Sequence, residues 1–399
     1  MPKHLSSTEF NDATIAKQRA ELLSWYEQNK RTLPWRDIHD PWATWVSEIM
    51  LQQTRVASVL EYFDRFMTRF PTPSALADAE WDEVASLWAG LGYYSRAKNL
   101  WKGAKQVVNE HNGEVPSDPK AVLALSGVGP YTAGAILSIA FAQEAPIVDG
   151  NVIRVFTRLY TIGDNIQDSQ TQKQLWGLAE TWVKGEKPGD LNQAIMELGA
   201  TVCTPKVPMC LLCPLQKSCL AYQQADPLHY PYKLKKTKKR PIEVYLGLIL
   251  KKCSSDTDEN ERYAIYQRKA TGLLGGLWAL PMLLRSSNSK PVKASEYAVF
   301  FPDKSDVSEF LSPKISPKAQ PMVKHAFTHK EWQVWPVLID VSQQSERFIN
   351  ELEAQLALSF SQLQWYSIHE LDALALGGPS LKALIQAGAP LKARRGSGR

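Results

Sequence analysis

Long apolar runs are missing from this 399-residue sequence. No stretch approaches the roughly 18 uninterrupted apolar residues of a membrane-spanning helix, so the sequence predicts no membrane span. The N-terminal residues 1–5 lack the apolar core of a signal peptide, and we therefore expect a cytoplasmic protein. Neither charge sign dominates, since 46 Lys and Arg stand against 41 Asp and Glu. The resulting net charge of +5 permits a polyanionic partner but does not establish one.

Cysteine is scarce, yet four of the five cysteines lie close together with the spacing C-x6-C-x2-C-x5-C: Cys203, Cys210, Cys213 and Cys219. Thiols stay reduced in the cytosol, so such a cluster favours metal binding over disulfide formation. Structural zinc sites typically use two close pairs far apart in the sequence, whereas this chain has one close pair with a single cysteine on either side. The spacing favours an iron–sulfur cluster, with zinc or unligated thiols as alternatives. Cys253 stands alone.

Strand-like alternation is missing from residues 9–225, where apolar residues recur at helical spacing instead. Short loops rich in Pro, Gly, Asp and Ser separate these segments. Helices are expected over 15–26, 44–67, 81–90, 95–110, 119–125, 130–141, 151–160, 171–184 and 190–202. The sequence predicts an all-α region over 1–225 that ends in the cysteine loop.

A basic linker is expected over 226–241, where six of the eight residues from Lys233 to Arg240 are basic. Such a run is either a solvated connection or a segment that follows DNA phosphates. Beyond it the sequence predicts an α+β domain over 242–390 and a basic, disordered tail over 391–399. Its strands are expected at 243–250, 263–268 and 327–337, with a helix at 380–387.

Two predicted helices flank the sequence Gly127-Val128-Gly129, and Pro130 suits the first position of the second helix. The glycines allow a tight turn that leaves backbone N–H groups bare at a helix N-terminus, where a phosphate binds readily. A plain helix–helix turn would also use glycine. The pattern favours a helix-hairpin-helix motif that clamps the DNA backbone.

Three further segments carry a family resemblance: Leu-Pro-Trp-Arg at 33–36, Trp-Val-Ser-Glu-Ile-Met-Leu-Gln-Gln-Thr at 45–54 and Gly-Leu-Gly-Tyr-Tyr-Ser-Arg at 90–96. With the hairpin, the acidic Asp149 and the cysteine spacing, they make almost the whole chain resemble the endonuclease III superfamily of DNA glycosylases. Within that superfamily it looks like the MutY-type adenine DNA glycosylases. The resemblance implies a six-helix barrel with the hairpin at about 36–144. It also implies a subdomain, formed by the N-terminal helix and about 145–225, whose four cysteines hold one [4Fe-4S] cluster.

The same resemblance implies an activity and a setting. The enzyme would excise adenine mispaired with 8-oxoguanine or guanine in double-stranded DNA. It would act as a monomer in the bacterial cytoplasm, held at the nucleoid by its DNA substrate.

Cleavage of a purine deoxyriboside passes through an oxocarbenium-like transition state, so the site needs an acid at the base and an anion near the sugar. Glu48 lies on a largely apolar helix, where burial would raise its pKa from the usual value of about 4.3. A salt-bridged helix glutamate is the alternative for Glu48, and a simple N-cap is the alternative for Asp149. By resemblance, Glu48 protonates N7 of adenine, Asp149 stabilises or captures the sugar cation, and Asn151 orients Asp149.

A lysine is missing at the hairpin position where relatives that also cut the strand carry one, because this chain has Tyr131 there. A phenol cannot form the Schiff base of a lyase, so the sequence favours a monofunctional glycosylase. By resemblance Tyr131 assists the acid. Two rival hypotheses stay open at this point: a bifunctional glycosylase-lyase, and a DNA-binding protein whose cluster only senses the redox state.

Extruding a base leaves a gap in the stack that a side chain must fill. Tyr93 is expected to stack there, although a core aromatic is the alternative, and Leu91 on the same short loop is also expected to bind the DNA. Gln53 and Thr54 would offer hydrogen bonds to the unpaired partner base. By family analogy the adenine pocket is completed by Arg31, Trp35 and Gln193.

Residues 267–281 resemble part of a Nudix fold, but the glutamates of a Nudix site are missing. That site needs a cluster of glutamates to hold Mg²⁺, and Glu296 is the one acidic residue in 282–300. We therefore expect a domain that reads an oxidised guanine without cutting it. By resemblance, the reading loop is Phe327, Thr328 and His329, and an ordinary strand end is the alternative.

Overall fold

The computed structural model describes residues 12–234, 241–253, 261–287, 318–327, 329–357, 360 and 362–391. The basic run at 235–240, most of the expected tail and Thr328 lie outside these ranges. The chain forms two compact units, the first of Met1–Ala79 with Ser95–Lys236 and the second of Glu80–Tyr94 with Thr237–Arg399.

Residues 12–234 are helical, and no strand occurs among them, which confirms the all-α prediction. The helices are α1 (Asp12–Asn29), α2 (Pro41–Leu51), α3 (Val56–Arg69), α4 (Pro73–Ala77), α5 (Trp81–Leu87), α6 (Tyr94–Glu110), α7 (Pro119–Ala124), α8 (Pro130–Ala135), α9 (Gly150–Leu159), α10 (Ser169–Trp182), α11 (Pro188–Thr201) and α12 (Leu220–Gln223).

The single helix expected over 44–67 was wrong, since the structure divides it into α2 and α3. Gln53 adopts a φ of +56°, a left-handed conformation that ends a helix. The Arg96 guanidinium donates to the carbonyl oxygens of Ile49 and Met50 at 2.7 and 2.9 Å, which satisfies groups left without partners at the end of α2. The sequence pattern shows the apolar face of both helices but not the break between them.

Two smaller departures concern neighbouring segments. Helix α4 starts inside a stretch expected to be a loop, because the Thr72 hydroxyl accepts from the Ala75 N–H at 3.2 Å and Pro73 suits the first turn. The helix expected over 130–141 begins as α8 and continues as a π-helix over Ile136–Ala140.

Helix α2 is the central element around which the site is built. Its N-terminus is capped by Asp40, whose carboxylate accepts from the Trp42 N–H at 2.8 Å. Every residue from Trp42 to Met50 is buried, so a charged residue on this helix is removed from water whichever way it faces. Glu48 is that residue.

The predicted hairpin joins α7 to α8. Gly127 has a φ of +81°, and a Cβ at this position would lie 2.6 Å from Cβ of Asn99, so only glycine fits without a shift. The Val128 N–H donates to the Leu125 carbonyl oxygen at 3.1 Å and closes the turn. Pro130 is the first residue of α8, as expected.

The second unit contains a mixed sheet with helices, which confirms the α+β prediction. Its strands are β1 (Ile242–Cys253), β2 (Glu261–Gln267), β3 (Trp278–Ala279), β4 (Met282–Ser287), β5 (Lys318–Ala319), β6 (Val323–Ala326), β7 (Glu331–Asp340) and β8 (Gln364–Ser367). The main order is β3-β2-β1-β7-β5, with β4 paired to β1, β6 to β7 and β8 to β2. Strands β1 and β7 are parallel, and the other pairs are antiparallel.

The described residues after 237 also form the helices α13 (Glu346–Ala357), α14 (Ile368–Ala373) and α15 (Gly378–Gln386). The strand expected to start at 327 starts instead at Glu331. The Phe327 N–H donates to the Lys330 carbonyl oxygen at 2.8 Å, so residues 327–330 form a turn before the strand. No helix in the described ranges is long and apolar enough to cross a membrane.

Helix α5 is the one element of residues 12–234 that belongs to the second unit. The sequence analysis placed it in the helical region over 1–225, but segment Glu80–Tyr94 packs with the residues after 237. Helical periodicity indicates that α5 has an apolar face that must be buried, but it does not indicate which part of the chain packs against that face.

Candidate active site

A cavity of about 480 Å³ lies in the first unit, where side chains from α2, α8, α9 and α11 meet. It brings together nine residues singled out from the sequence: Arg31, Trp35, Glu48, Gln53, Thr54, Tyr131, Asp149, Asn151 and Gln193. These positions span more than 160 residues of chain, so their convergence is a product of the fold.

Glu48 is buried in the wall of this cavity, with 6% of its surface exposed. The Tyr131 hydroxyl donates to Oε2 of Glu48 at 2.5 Å and lies 3.3 Å from Sδ of Met196. Burial, with a smaller contribution from the charge of Asp149, raises the pKa of Glu48 to about 7. The hydrogen bond from Tyr131 and the charge of Arg36 oppose that shift. The result is a carboxyl that is protonated in a large fraction of molecules near neutral pH.

Asp149 caps α9 and faces the same cavity. Its Oδ1 accepts from the backbone N–H groups of Asn151 and Val152 at 2.8 and 2.7 Å, and its Oδ2 accepts from Nδ2 of Asn151 at 2.8 Å. Burial raises the pKa of Asp149 and outweighs these three hydrogen bonds and the charge of Arg154, which act to lower it. Asp149 is therefore an N-cap whose carboxylate is also fixed at the cavity wall.

Arg154 connects this carboxylate to the cysteine loop, and sequence reasoning missed it. Its Nη2 donates to Oδ1 of Asn151 at 2.8 Å and to the Gly199 carbonyl oxygen at 2.7 Å, while its Nε donates to the Cys203 carbonyl oxygen at 2.7 Å. Asn151 thus donates to Asp149 with one end of its amide and accepts from Arg154 with the other. The position of Arg154, a charged residue one turn into the largely apolar helix α9, is the sequence signal that could have identified it.

Glu197 is a second buried acid that the sequence analysis did not identify. It is 1% exposed, and it accepts from Nε and Nη2 of Arg31 at 2.5 and 3.0 Å and from Nη2 of Arg36 at 3.0 Å. Burial raises its pKa, but the hydrogen bonds and charges of the two arginines outweigh burial and leave the pKa lowered. A glutamate on the apolar face of α11 carried the same sequence signal as Glu48.

The remaining predicted residues of the cavity are fixed by packing. Trp35 is buried edge-on against Phe63, with ring centroids 5.1 Å apart. The Thr54 hydroxyl accepts from Nη2 of Arg96 at 3.2 Å, and Gln53 holds its left-handed backbone beside it. Gln193 is 9% exposed.

Several predicted DNA contacts lie outside this cavity. Gly127, Val128 and Gly129 form the hairpin between α7 and α8. Leu91 and Tyr93 belong to the second unit. Tyr93 is 39% exposed with a φ of +49°, whereas Leu91 is 1% exposed. The DNA contacts expected of Leu91 and Tyr93 stay predictions.

The predicted reading loop lies in the second unit. Phe327 is half-buried and packs edge-on against Trp332 with ring centroids 5.0 Å apart, and it also contacts the His325 ring at 4.6 Å. His329 is exposed, and Thr328 lies outside the described residues. The glutamate-poor segment 288–300 also lies outside them.

The four clustered cysteines are half-buried free thiols. Burial raises the pKa of Cys213 to about 12, with smaller contributions from Cys203, Cys219 and Cys210. Nη1 of Arg158 donates to Sγ of Cys203 at 3.3 Å. In the part of the chain that the structure describes, no three His, Cys, Asp or Glu side chains are arranged around a single metal ion.

Comparisons with known proteins agree with this architecture. Residues 46–181 match the family model of the HhH-GPD superfamily base excision DNA repair proteins, and residues 257–386 match that of the NUDIX domain. The solved structure of a thermostable thymine-DNA glycosylase is 32% identical and superposes with a TM-score of 0.50, covering 53% of this chain and 98% of that one.

Curated relatives are adenine DNA glycosylases. The protein of Mus musculus is 48% identical over 235 residues, which cover 56% of this chain and 45% of the mouse protein. The matched region thus spans less than half of the mouse relative. The protein of Schizosaccharomyces pombe is 34% identical over 336 residues, which cover 71% of this chain and 72% of the yeast protein. Because that match extends over more than two thirds of the yeast protein, the chain belongs to the adenine DNA glycosylase family.

Proposed function

We propose that this chain is a monofunctional DNA glycosylase that excises adenine opposite 8-oxoguanine or guanine in duplex DNA and leaves an abasic site. The observation that carries the proposal is the buried Glu48–Tyr131 pair in a cavity that also contains Asp149. An acid and an anion at one cavity are the two groups that glycosidic cleavage needs. The names of the curated relatives support adenine as the base.

Glu48 is the general acid. Its pKa of about 7 lets it hold a proton at neutral pH and pass that proton to N7 of adenine. The electron pair of the glycosidic bond then moves to the protonated base, which leaves as neutral adenine. The Tyr131 hydroxyl holds the carboxyl in place by donating to one of its oxygens.

Asp149 is the anion that stabilises or captures the sugar cation. The two backbone N–H groups and the Asn151 amide fix its carboxylate and favour its charged form. Water then adds to the sugar carbon, which completes hydrolysis. Glu48 and Asp149 would thus have different roles: Glu48 would protonate the base, and Asp149, with three hydrogen bonds on its carboxylate, would stabilise the sugar cation.

A lyase step is not part of the proposal. Burial raises the pKa of the Tyr131 phenol well above its usual value of 10, so the phenol stays neutral. A phenol also has no amine. The residues that line the described cavity include no lysine. Schiff-base chemistry needs such an amine.

The other predicted residues would hold the two bases and the backbone. Five of these residues line the cavity. Arg31, Trp35 and Gln193 would hold the adenine, and Gln53 and Thr54 would contact the partner base. Tyr93 would fill the gap in the stack. The partner base would be read by Phe327, Thr328 and His329, and the backbone would be clamped at Gly127, Val128 and Gly129.

The four clustered cysteines are proposed to hold a [4Fe-4S] cluster. Four thiols within one short segment of the sequence are the donor set of such a cluster, and the cationic Arg158 beside Cys203 would offset its negative charge. Cys203, Cys210, Cys213 and Cys219 would be the ligands. The group would supply structural support at the end of α11, next to the carbonyl oxygen that Arg154 contacts.

A single-turnover assay tests the proposal. We expect adenine release from an A:8-oxoguanine duplex, slower release from A:G, and none from T:A. The product strand should break only after alkali or heat, and borohydride should trap no adduct. Efficient trapping would contradict the monofunctional assignment, and release of a pyrimidine instead of adenine would contradict the substrate.

A further inference from the structure

Helix α5 makes a specific contact with the surface of the second unit. At its N-terminal end, Nε1 of Trp81 donates to the Gly276 carbonyl oxygen at 3.2 Å. In the next residue, Oδ1 of Asp82 accepts from Nε2 of Gln267 at 2.8 Å. These partners are 185 or more residues away in the sequence, so the contact is a product of the tertiary fold.

The middle and the C-terminal end of α5 complete this contact. Ala85, Leu277 and Ala375 form one buried apolar cluster, each no more than 1% exposed. The Ser86 hydroxyl donates to the Ala373 carbonyl oxygen at 2.8 Å. The helix is therefore held by hydrogen bonds at both ends and by apolar packing between them.

Gly276 shows how closely the two surfaces approach. A Cβ at this position would lie 2.7 Å from Nε1 of Trp81, closer than real Cβ contacts allow. The φ of Gly276 is +79°, which also favours glycine. Both its conformation and its lack of a side chain make room for the tryptophan.

The loop that follows α5 is built on the end of this helix. The Leu91 N–H donates to the Trp88 carbonyl oxygen at 3.1 Å, and Nε1 of Trp88 donates to the Gly92 carbonyl oxygen at 3.2 Å. Gly90, Gly92 and Tyr93 have φ values of +107°, +70° and +49°. Such a tight run of left-handed residues depends on its surroundings to stay in one conformation.

We propose that the surface formed by Gln267, Gly276, Leu277, Ala373 and Ala375 positions helix α5 and thereby fixes the loop at 88–94 that presents Tyr93. The inference rests on the proposed function, because it assigns Tyr93 to the gap left by the extruded base. Tyr93 and Phe327 then belong to one compact unit, separate from the residues of the catalytic cavity. Gln267, Gly276 and Ser86 are positioning residues that do not touch DNA.

Hydrogen exchange followed by mass spectrometry on the full chain without DNA tests this proposal. Gln267→Ala removes a hydrogen bond to a carboxylate, and we expect about tenfold faster exchange of the backbone amides in 88–92. Ser86→Ala removes a neutral hydrogen bond at the other end, with an expected acceleration of about threefold. Gln343→Ala is the matched control, because Gln343 is exposed in a turn of the same unit.

Amides of strand β1, at 244–250, serve as the internal reference. Unchanged exchange at 88–92 in both variants would overturn the proposal. Equal acceleration at 88–92 and in β1 would also overturn it, because the contact would then only stabilise the unit as a whole.

A second measurement on the same variants separates this proposal from the proposed function. Gln267→Ala should weaken binding to the A:8-oxoguanine duplex, while the single-turnover rate at saturating duplex stays within about twofold of wild type, since no catalytic side chain is changed. If the wild-type chain releases no adenine, the proposed function fails, and the exchange experiment still decides whether the contact fixes the loop.

Discussion

A glutamate in each unit accepts a hydrogen bond from a tyrosine hydroxyl, yet their pKa values shift in opposite directions. In the first unit, Glu48 accepts from Tyr131 at 2.5 Å, and burial raises its pKa to about 7. In the second unit, Glu243 accepts from Tyr245 at 2.9 Å, and its pKa is lowered. Glu243 also accepts from the Lys330 ammonium and from Nε1 of Trp332, each at 2.7 Å, and these contacts together with Tyr245 outweigh the effect of its burial.

Glu197 shows that burial alone does not raise the pKa of a glutamate enough for it to hold a proton near neutral pH. It is more deeply buried than Glu48, but Arg31 and Arg36 bond to it and lower its pKa. Arg36 acts on Glu48 only through its charge, because its guanidinium is bonded to Glu197. Arg31 and Arg36 thus both bond to Glu197, and neither bonds to Glu48, which remains able to carry a proton.

The largest expected effect is that of Glu48→Gln. The amide keeps the shape of the side chain but has no acidic proton, so adenine release should fall by about 10²–10⁴-fold, as for loss of a general acid. Single-turnover rates on an A:8-oxoguanine duplex measure this effect, and duplex affinity should be largely kept.

The matched control for this variant is Glu243→Gln, which changes a tyrosine-bonded glutamate of the second unit. It should leave the excision rate within about twofold of wild type, because Glu243 lies in the second unit and is paired with Lys330. Near-normal release by Glu48→Gln would mean that the acid is another group.

The second prediction concerns Glu197→Gln. This change leaves the guanidinium groups of Arg31 and Arg36 without their carboxylate, and breaking a buried pair costs about 3–5 kcal/mol of unfolding free energy. Arg31 is 40% exposed on its side chain, so water compensates it in part and we expect the lower end, about 3 kcal/mol. Urea unfolding measures the loss. A loss as small as that of Lys187→Gln, which breaks an exposed pair with Glu27, would contradict this account.

The third prediction tests the second unit. If Phe327 reads the partner base, Phe327→Ala should reduce the preference for A:8-oxoguanine over A:G by about ten- to a hundredfold, the equivalent of 1–3 kcal/mol for a lost base contact. The ratio of single-turnover rates on the two duplexes measures it. Phe360→Ala is the control, since Phe360 is also a half-buried aromatic of this unit, packed on Tyr266. If both changes reduced the preference for A:8-oxoguanine equally, the loss would reflect the stability of the second unit and not a contact of Phe327 with the partner base.

The burial of Glu48 and the capping position of Asp149 could be predicted from the sequence because their signals are local, whereas their proposed roles as acid and anion came from the family resemblance. Glu48 stands among apolar residues on one helix, and Asp149 stands before the Gly-Asn that begins another. Burial of the first and capping by the second follow from those neighbours alone. Gly127 could be placed in a tight turn for the same reason.

The rest depends on contacts between distant segments. Glu197 meets Arg31 across 166 positions, and Trp81 meets Gly276 across 195. The periodicity of α5 and α11 predicts a buried face on each helix but does not identify its partner. For this reason the arginine pair around Glu197 and the placement of α5 in the second unit emerged only from the fold.

The smallest expected effect is a shift in the pH profile of Tyr131→Phe. Catalysis requires protonated Glu48, so the wild-type rate should fall as the pH rises through about 7. The Tyr131 hydroxyl donates to the carboxylate, which favours the charged form and lowers the pKa of Glu48. Removing the hydroxyl should therefore raise that pKa and move the alkaline limb up by about one pH unit, whatever happens to the plateau. Tyr245→Phe removes the corresponding hydroxyl beside Glu243 and should leave the limb in place, whereas a limb of Tyr131→Phe that stays or moves to lower pH would show that Glu48 is not the group that titrates.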